Sequence, residues 1–122
     1  MKDFIIIGAG QSGLSIAHYL KEKEQSFLIV DANAEIGAPW LKRWDSLKLF
    51  TPSEFNNLPG LAFPHKKGHY ATKYEVAAYL KQYVQKFDIP IAFNEKITAL
   101  KKEGGHFTLN SATTAFKAKN VI

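Results

Sequence analysis

The apolar positions fall into two kinds of pattern, and each predicts a different element. Phe4 to Ile7 and Phe27 to Val30 are continuously apolar, as strands are when both faces of a parallel sheet are covered. Between them Leu14, Ala17 and Leu20 recur at helical spacing, predicting an amphipathic helix that runs to about Glu24. Parallel strands need a crossover of this kind, so residues 1 to about 35 read as a βαβ unit. A second helical period, Val76, Leu80, Tyr83, Val84 and Phe87, follows the capping-box pattern Thr72-x-x-Glu75 and ends at Asp88 to Pro90. A third strand is expected near Ile91 to Phe93. Lys96 to Lys101, His106 to Asn110 and Thr114 to Ala118 then read as an antiparallel meander, with Gly104-Gly105 as one hairpin turn. Val121-Ile122 reads as the opening of a further buried strand.

From Ala32 to His69 the periodicity dissolves into turn signals (Gly37, Pro39, Pro52, Pro59-Gly60, Pro64, Gly68), with a short helical or extended piece expected between Leu41 and Phe50. A connection that long inside a compact domain is usually functional. The fold class that follows is α/β: a parallel sheet with flanking helices plus a three-stranded antiparallel meander, all within one domain spanning residues 1–122. That length is small for a two-cofactor enzyme.

Charge and composition exclude several classes. The net charge of +5 and pI near 9.4 raise the question of a polyanionic partner. The lysines are dispersed, however, with Lys66-Lys67 and Lys101-Lys102 the tightest clusters and no interleaved aromatic ladder, so a solvated basic surface is expected and no nucleic-acid partner. No apolar run approaches the roughly 20 residues of a membrane span, and the start Met1-Lys2-Asp3 lacks the apolar region of a secretory signal. Without cysteine there is no disulfide or thiol chemistry in this chain. A cytoplasmic location with no membrane partner is the expectation.

The specific chemistry lies at the first strand–helix junction. Gly8-Ala9-Gly10-Gln11-Ser12-Gly13 ends a buried strand and opens a helix, and Asp31 stands at the end of the next strand. This is the context that gives a G-x-G-x-x-G motif meaning. Gly8 permits the tight turn, Gly10 lets backbone approach a pyrophosphate, and Gly13 lets helix and strand pack closely. Free amides and the positive dipole end of the helix face the phosphates. Asp31 accepts from both hydroxyls of an adenosine ribose and repels a 2′-phosphate, so FAD or NAD fits and NADP does not.

Downstream residues separate these ligands. Gly37-Ala38-Pro39-Trp40, Arg43-Trp44-Asp45-Ser46-Leu47-Lys48-Leu49-Phe50-Thr51-Pro52, Leu58-Pro59-Gly60 and Tyr74-Glu75-Val76-Ala77-Ala78-Tyr79-Leu80 together resemble the bacterial flavin-containing monooxygenase-like oxidoreductases, over essentially the whole chain. The resemblance implies a Rossmann-like FAD-binding domain with FAD as cofactor. Gly8, Gly10, Gln11, Ser12 and Gly13 would line the pyrophosphate, Asp31 and Ala32 the ribose, and the backbone of Ile97 the adenine. Gly37, Trp40 and Leu47 would lie toward the flavin. The family's chemistry is reduction of FAD by NADH or NADPH, reaction with O₂, and oxygen transfer to a small soft nucleophile such as a sulfide or amine. The cofactor performs it, so no catalytic acid, base or nucleophile is assigned.

Two departures from the family pattern stand out. The frequent Gly-Gly before the tryptophan is Gly37-Ala38, which is strained if its second position needs positive φ. The family also continues into a second glycine-rich domain for the nicotinamide nucleotide, for which these residues hold no motif. The sequence therefore reads as a truncated FAD-binding portion, inactive with NADPH alone and prone to self-association through an incomplete sheet. Two alternatives carry weight: a pyridine nucleotide–disulfide reductase-like fragment, disfavoured in its glutathione-reductase form by the absence of a cysteine pair between Gly37 and Ser46, and a non-catalytic flavin-binding domain.

The remaining candidates have plainer readings. His65 and His69 have ligand-like spacing, but Pro64 and Gly68 place them on a loop with no evident carboxylate, so no metal is expected. His18 and His106 read as solvated. Tyr74, Tyr79 and Tyr83 read as core packing. Arg43 either pairs with Asp45 or faces a phosphate. Trp44 reads equally as a packed aromatic or a flavin contact.

Overall fold

The computed structural model describes residues 1–122, which divide into two compact units: residues 1–34 with 89–122, and residues 35–88. No helix is long and apolar enough to cross a membrane.

The first unit is a six-stranded mixed sheet. Its strands are β1 (Lys2–Ile7), β2 (Phe27–Val30), β5 (Ile91–Ala92), β6 (Ala99–Glu103), β7 (His106–Asn110) and β8 (Ala115–Val121), in spatial order β5-β2-β1-β8-β7-β6. Strands β5, β2, β1 and β8 are parallel, whereas β8, β7 and β6 form an antiparallel meander. Helix α1 (Gln11–Glu22) buries Gly13, Leu14, Ala17 and Leu20, the stripe its periodicity predicts. A core cluster of Ile5, Val30, Leu109 and Ala118 is joined by Leu28, Ile97, Phe107, Phe116 and Val121, so the meander contributes directly to the core of the parallel strands. Asp3 fixes the chain before β2: Ser26 donates to its carboxylate from Oγ (2.8 Å) and N (3.0 Å), and Lys119 lies 3.0 Å away. Those hydrogen bonds from Ser26, with Lys119 behind them, hold the Asp3 carboxyl down to about 2.

The structure corrects the reading of the C-terminal residues. Val121 and Ile122 do not open a new strand. Val121 belongs to β8 (Ala115–Val121), whose first half pairs with β7 (Leu109↔Phe116, Phe107↔Ala118) and whose second half pairs with β1 (Lys2↔Ala118, Ile5↔Val121). Hydrogen bonds from Ile122 N to Ile5 O (3.0 Å) and from Ile7 N to Ile122 O (2.9 Å) carry the pairing to the end of β1. The sheet's edges in this chain are β5 and β6. Ala118 pairs on both sides and is fully buried, which suits a residue with no side chain beyond Cβ. The two-residue turn at Gly104-Gly105, with φ of 52° and 90°, joins Glu103 directly to His106 as expected.

The second unit gives the long unpatterned stretch a structure of its own. It holds α2 (Ala38–Leu41), β3 (Lys48–Pro52), a 3-10 turn (Ser53–Phe55), β4 (Tyr70–Thr72) and α3 (Lys73–Phe87), with β3 and β4 paired antiparallel. The short helix thus precedes the span where it was expected, and the later part of that span is extended. Helix α3 starts on a complete capping box: Glu75 N donates to Thr72 Oγ1 and Thr72 N donates to Glu75 Oε1, both at 3.2 Å. It ends at Asp88 in a left-handed conformation (φ 47°). Tyr79 and Tyr83 are buried and grip the 58–61 turn. Leu58 N donates to Tyr79 Oη, which donates to Leu61 O, while Tyr83 Oη donates to Pro59 O. Burial pushes the Tyr79 phenol up despite its hydrogen bond with Leu58. Tyr74, expected in the core, is instead 56% exposed.

Candidate functional site

Parallel register decides where the glycine loop and the acidic residue meet. Ile7 lies beside Val30, so Gly8 and Asp31 leave adjacent strands at the same sheet edge, and Gly8 N donates to Val30 O at 2.8 Å. In parallel sheets that carboxyl edge is where ligands bind. Gly8 turns the chain with φ +105°, which a residue with a Cβ rarely adopts. Gly13 lies so close beneath the turn that a Cβ there would stand 2.1 Å from Gly8 O and 3.3 Å from Ile6 Cγ2. A Cβ at Gly10 would meet nothing within 4 Å. Gly10 is also the N-cap of α1, which has no side-chain cap and no acidic residue in its first turn. The first amides of α1 thus have no capping acceptor from the chain, and the space over Gly10 is open. This is a cradle that fits a phosphate group.

Asp31 is half-buried, and Asn33 engages its Oδ1 through Nδ2 at 3.2 Å. Its backbone is tied on both sides: Asp31 N donates to Ala92 O and Glu95 N donates to Asp31 O, at 2.9 and 2.8 Å. Asn94 N donates to Asn33 O at 2.9 Å, so residues 92–95 run beside residues 31–33. The Glu95 carboxylate in turn receives hydrogen bonds from Ser111, Thr113 and Thr114. The bond from Ser111 does most to hold it below the usual carboxylate range, against the opposing effect of burial. Ile97 precedes β6 rather than opening it, and its side chain packs on the core cluster. The first unit therefore gathers the Gly8–Gly13 loop, Asp31 and the segment leading to Ile97 around one end of β1, β2 and β5. Ala32 is exposed beside Asp31.

Gly37, Trp40 and Leu47 lie in the second unit. Gly37 has φ +80°, and an added Cβ would stand 2.8 Å from Ala77 Cβ. Ala38 begins α2 and is absent from the positive-φ residues, so the strain expected at Gly37-Ala38 does not arise. Leu47 is buried, Trp40 is half-buried, and Trp44 is 61% exposed in this chain. Arg43 stacks over the Trp40 ring at 4.9 Å, and the partner of Asp45 is Lys73 (3.4 Å).

Sequence reasoning missed Lys73. It is 3% exposed, and its ammonium donates to Arg43 O (2.6 Å), Leu41 O (3.2 Å) and Asp45 Oδ1 (3.4 Å), tying the segment after Trp40 to the start of α3. A lysine in the first helical turn opposes the helix dipole, and that mismatch was the available signal. Lys73→Met keeps the aliphatic stem but leaves two carbonyls without their charged donor. Urea unfolding should show a loss of about 2 kcal/mol; an unchanged midpoint would mean water replaces the ammonium.

The histidines also depart from expectation. His18 has a 13% exposed side chain, 3.3 Å from Glu22 and edge-on to Tyr19. His65 and His69 lie on a loop as expected, but Glu75 supplies the carboxylate that the sequence did not reveal, with its Oε2 2.6 and 2.8 Å from their Nε2 atoms. Burial pushes the Glu75 carboxyl up, but the hydrogen bonds from Thr72 and His69, together with His65, outweigh it and leave it below its ordinary value.

Comparison with known proteins gives the family and the fold. The profile of the pyridine nucleotide-disulphide oxidoreductase family matches residues 5–122. The uncharacterized oxidoreductase CzcO of Bacillus subtilis is 40% identical over all 122 residues, which correspond to 35% of its length. A flavin-containing monooxygenase from Stenotrophomonas maltophilia superposes with a TM-score of 0.91 at 32% identity, over 98% of this chain and 37% of that one. The protein OTEMO, solved in complex with FAD and NADP, shares the fold with a TM-score of 0.85 at 19% identity, over 98% of this chain and 24% of its own. This chain thus spans about a third of the length of the Bacillus and Stenotrophomonas relatives. With the glycine loop, the strand-end aspartate and the mixed sheet all in place, the chain belongs to the pyridine nucleotide-disulphide oxidoreductase family, in which flavin monooxygenases are among its structural relatives.

Proposed function

We propose that this chain binds the ADP half of FAD at the carboxyl edge of β1 and β2. In the same reading it is the FAD-binding portion of a flavin-dependent monooxygenase-like oxidoreductase. The observation that carries the first part is the uncapped start of α1, open over Gly10 and adjacent to Asp31. Gly8, Gly10, Gln11, Ser12 and Gly13 hold the pyrophosphate, Asp31 and Ala32 the ribose, and the Ile97 backbone the adenine. The roles of Gly37, Trp40 and Leu47 toward the flavin rest on family resemblance. When bound, FAD supplies hydride acceptance from NADH or NADPH and reaction with O₂. The protein supplies binding, orientation and shielding from water, and the proposed substrate is a small soft nucleophile such as a sulfide or amine. Supporting the monooxygenase reading is the Stenotrophomonas relative at 32% identity, and the absence of cysteine between Gly37 and Ser46 disfavours the glutathione-reductase form of a disulfide reductase.

The ribose assignment has a direct test. In isothermal titration the chain should bind ADP at least about tenfold more tightly than 2′-phospho-ADP, a difference of about 1.4 kcal/mol. Asp31→Asn, which removes the charge but keeps a hydrogen-bonding side chain, should erase that preference. Equal binding of both nucleotides by the parent chain would contradict the assignment.

A further inference from the structure

The second unit brings together three metal-ligating side chains that nucleotide binding does not use. A ring nitrogen of His65, a ring nitrogen of His69 and a carboxylate oxygen of Glu75 all lie within 4.8 Å of one another. The two imidazole rings face each other with centroids 4.8 Å apart and planes tilted by 32°. All three side chains are partly covered, at 35%, 35% and 22% exposure, yet open enough to admit an ion.

The surrounding structure fixes each donor. Thr72 N holds Glu75 Oε1 at 3.2 Å, and Oε2 faces both imidazoles while Oε1 also lies 3.1 Å from His69 Nε2. The backbone of His69 is clamped three times: Ser53 N and Oγ both donate to its carbonyl at 2.8 Å, and its own N–H donates to Lys66 O at 3.1 Å. Gly68 N donates to Glu54 Oε1 at 2.9 Å. His65 packs against Phe63, itself buried on Tyr79, with ring centroids 5.4 and 4.8 Å apart. Thr72 N orients the Glu75 carboxylate as an outer hydrogen bond orients a metal ligand, and the backbone bonds and ring packing limit where the two imidazoles can lie.

We infer that His65, His69 and Glu75 form a binding site for a divalent transition-metal ion of the zinc type. Two imidazoles and one carboxylate are a zinc donor set, with a water completing the tetrahedron. The set has too few oxygens for calcium and no thiolate for a soft ion. Tetrahedral zinc with bonds of about 2.0–2.1 Å places its donors roughly 3.3 Å apart. The present nitrogen–oxygen separations of 2.6 and 2.8 Å therefore widen by roughly 0.5–0.7 Å, while the widest donor separation, within 4.8 Å, closes toward the same spacing through rotations of the carboxylate and the rings. On binding, each imidazole coordinates through Nε2 and keeps its proton on Nδ1, and any further proton is released to solvent. Lys66 and Lys67 are the nearest like charges in sequence. Both are exposed, so solvent screens their opposition.

The test uses the full 122-residue chain and zinc alone, without flavin, so its result is independent of the nucleotide reading. Isothermal titration near neutral pH should give one zinc per chain, and His65→Gln, His69→Gln and Glu75→Gln should each weaken it at least about tenfold. Glutamine preserves the capping box at position 75, so that variant separates ligand loss from unfolding. His106→Gln should bind as the parent does. Cobalt added to the unaltered chain should show the intense visible bands of a four-coordinate site, and zinc should abolish them. No zinc uptake, affinity unchanged in the three variants, or the pale spectrum of six-coordinate cobalt would each overturn the site.

Discussion

Gly13→Ala should destabilise the first unit by about 3 kcal/mol or more, the upper end of what overpacking does, and lower its melting temperature by roughly 10–15 °C. The new Cβ would stand 2.1 Å from Gly8 O, far inside van der Waals contact, and the atom it meets is backbone. Gly8 cannot easily yield. Its N–H is bonded to Val30 O at 2.8 Å and its φ of +105° already commits the turn. The alternative is for α1 to lift away, which uncovers the fully buried Leu14 and Ala17 together with Leu20. Either response disturbs the contact between helix and strands, so the loss should appear in stability even with no nucleotide present. Thermal melting followed by circular dichroism measures it. A variant melting within about 2 °C of the parent would show that the helix shifts without cost and that close packing is not the reason for glycine there.

The parts of this fold that were legible in the sequence share one property: they depend on neighbours close in the chain. The period of Leu14, Ala17 and Leu20 marks the buried stripe of α1, Thr72 and Glu75 form the capping box, and Gly104-Gly105 makes the hairpin turn. In each case the partners lie within one element or one turn. The readings that changed depend on partners far along the chain. Val121 looks like the start of a strand until its register with Ile5 is known, because local pattern cannot show that one strand pairs antiparallel at its beginning and parallel at its end. Lys73 looks like a surface lysine until Arg43 O, 30 residues earlier, is found beside its ammonium. The same holds for Glu75, which local pattern assigns to a cap and tertiary structure also places against His65 and His69.

The nucleotide site divides in the same way, because the residue types were readable but the reason for each was not. Gly8 is required by a turn and Gly13 by packing, so both would be glycine in a protein that bound nothing. Their presence in the motif says little about a ligand. Asp31 is placed by register at the sheet edge that ligands use, yet part of its carboxylate is engaged by Asn33. Of the three glycines, only Gly10 lacks an internal reason.

That makes Gly10→Val the decisive variant for nucleotide binding. Gly10 has φ −82° and ψ −174°, extended backbone that any residue adopts, it is exposed, and a Cβ there meets nothing within 4 Å. Valine is a poorer N-cap than glycine, which costs at most about 1 kcal/mol, so the circular dichroism spectrum and melting curve should remain close to those of the parent. A pyrophosphate seated on the first amides of α1 would occupy the space the valine methyl groups enter. Titration should then show ADP and FAD affinity reduced more than about a hundredfold, equivalent to about 2.8 kcal/mol. The contrast with Gly13→Ala separates the two roles, since one substitution removes stability without reference to ligand and the other removes binding from a folded chain. Nucleotide affinity retained by a well-folded Gly10→Val chain would mean that no phosphate approaches this turn, and the assignment of the carboxyl edge of β1 and β2 as the FAD site would fall.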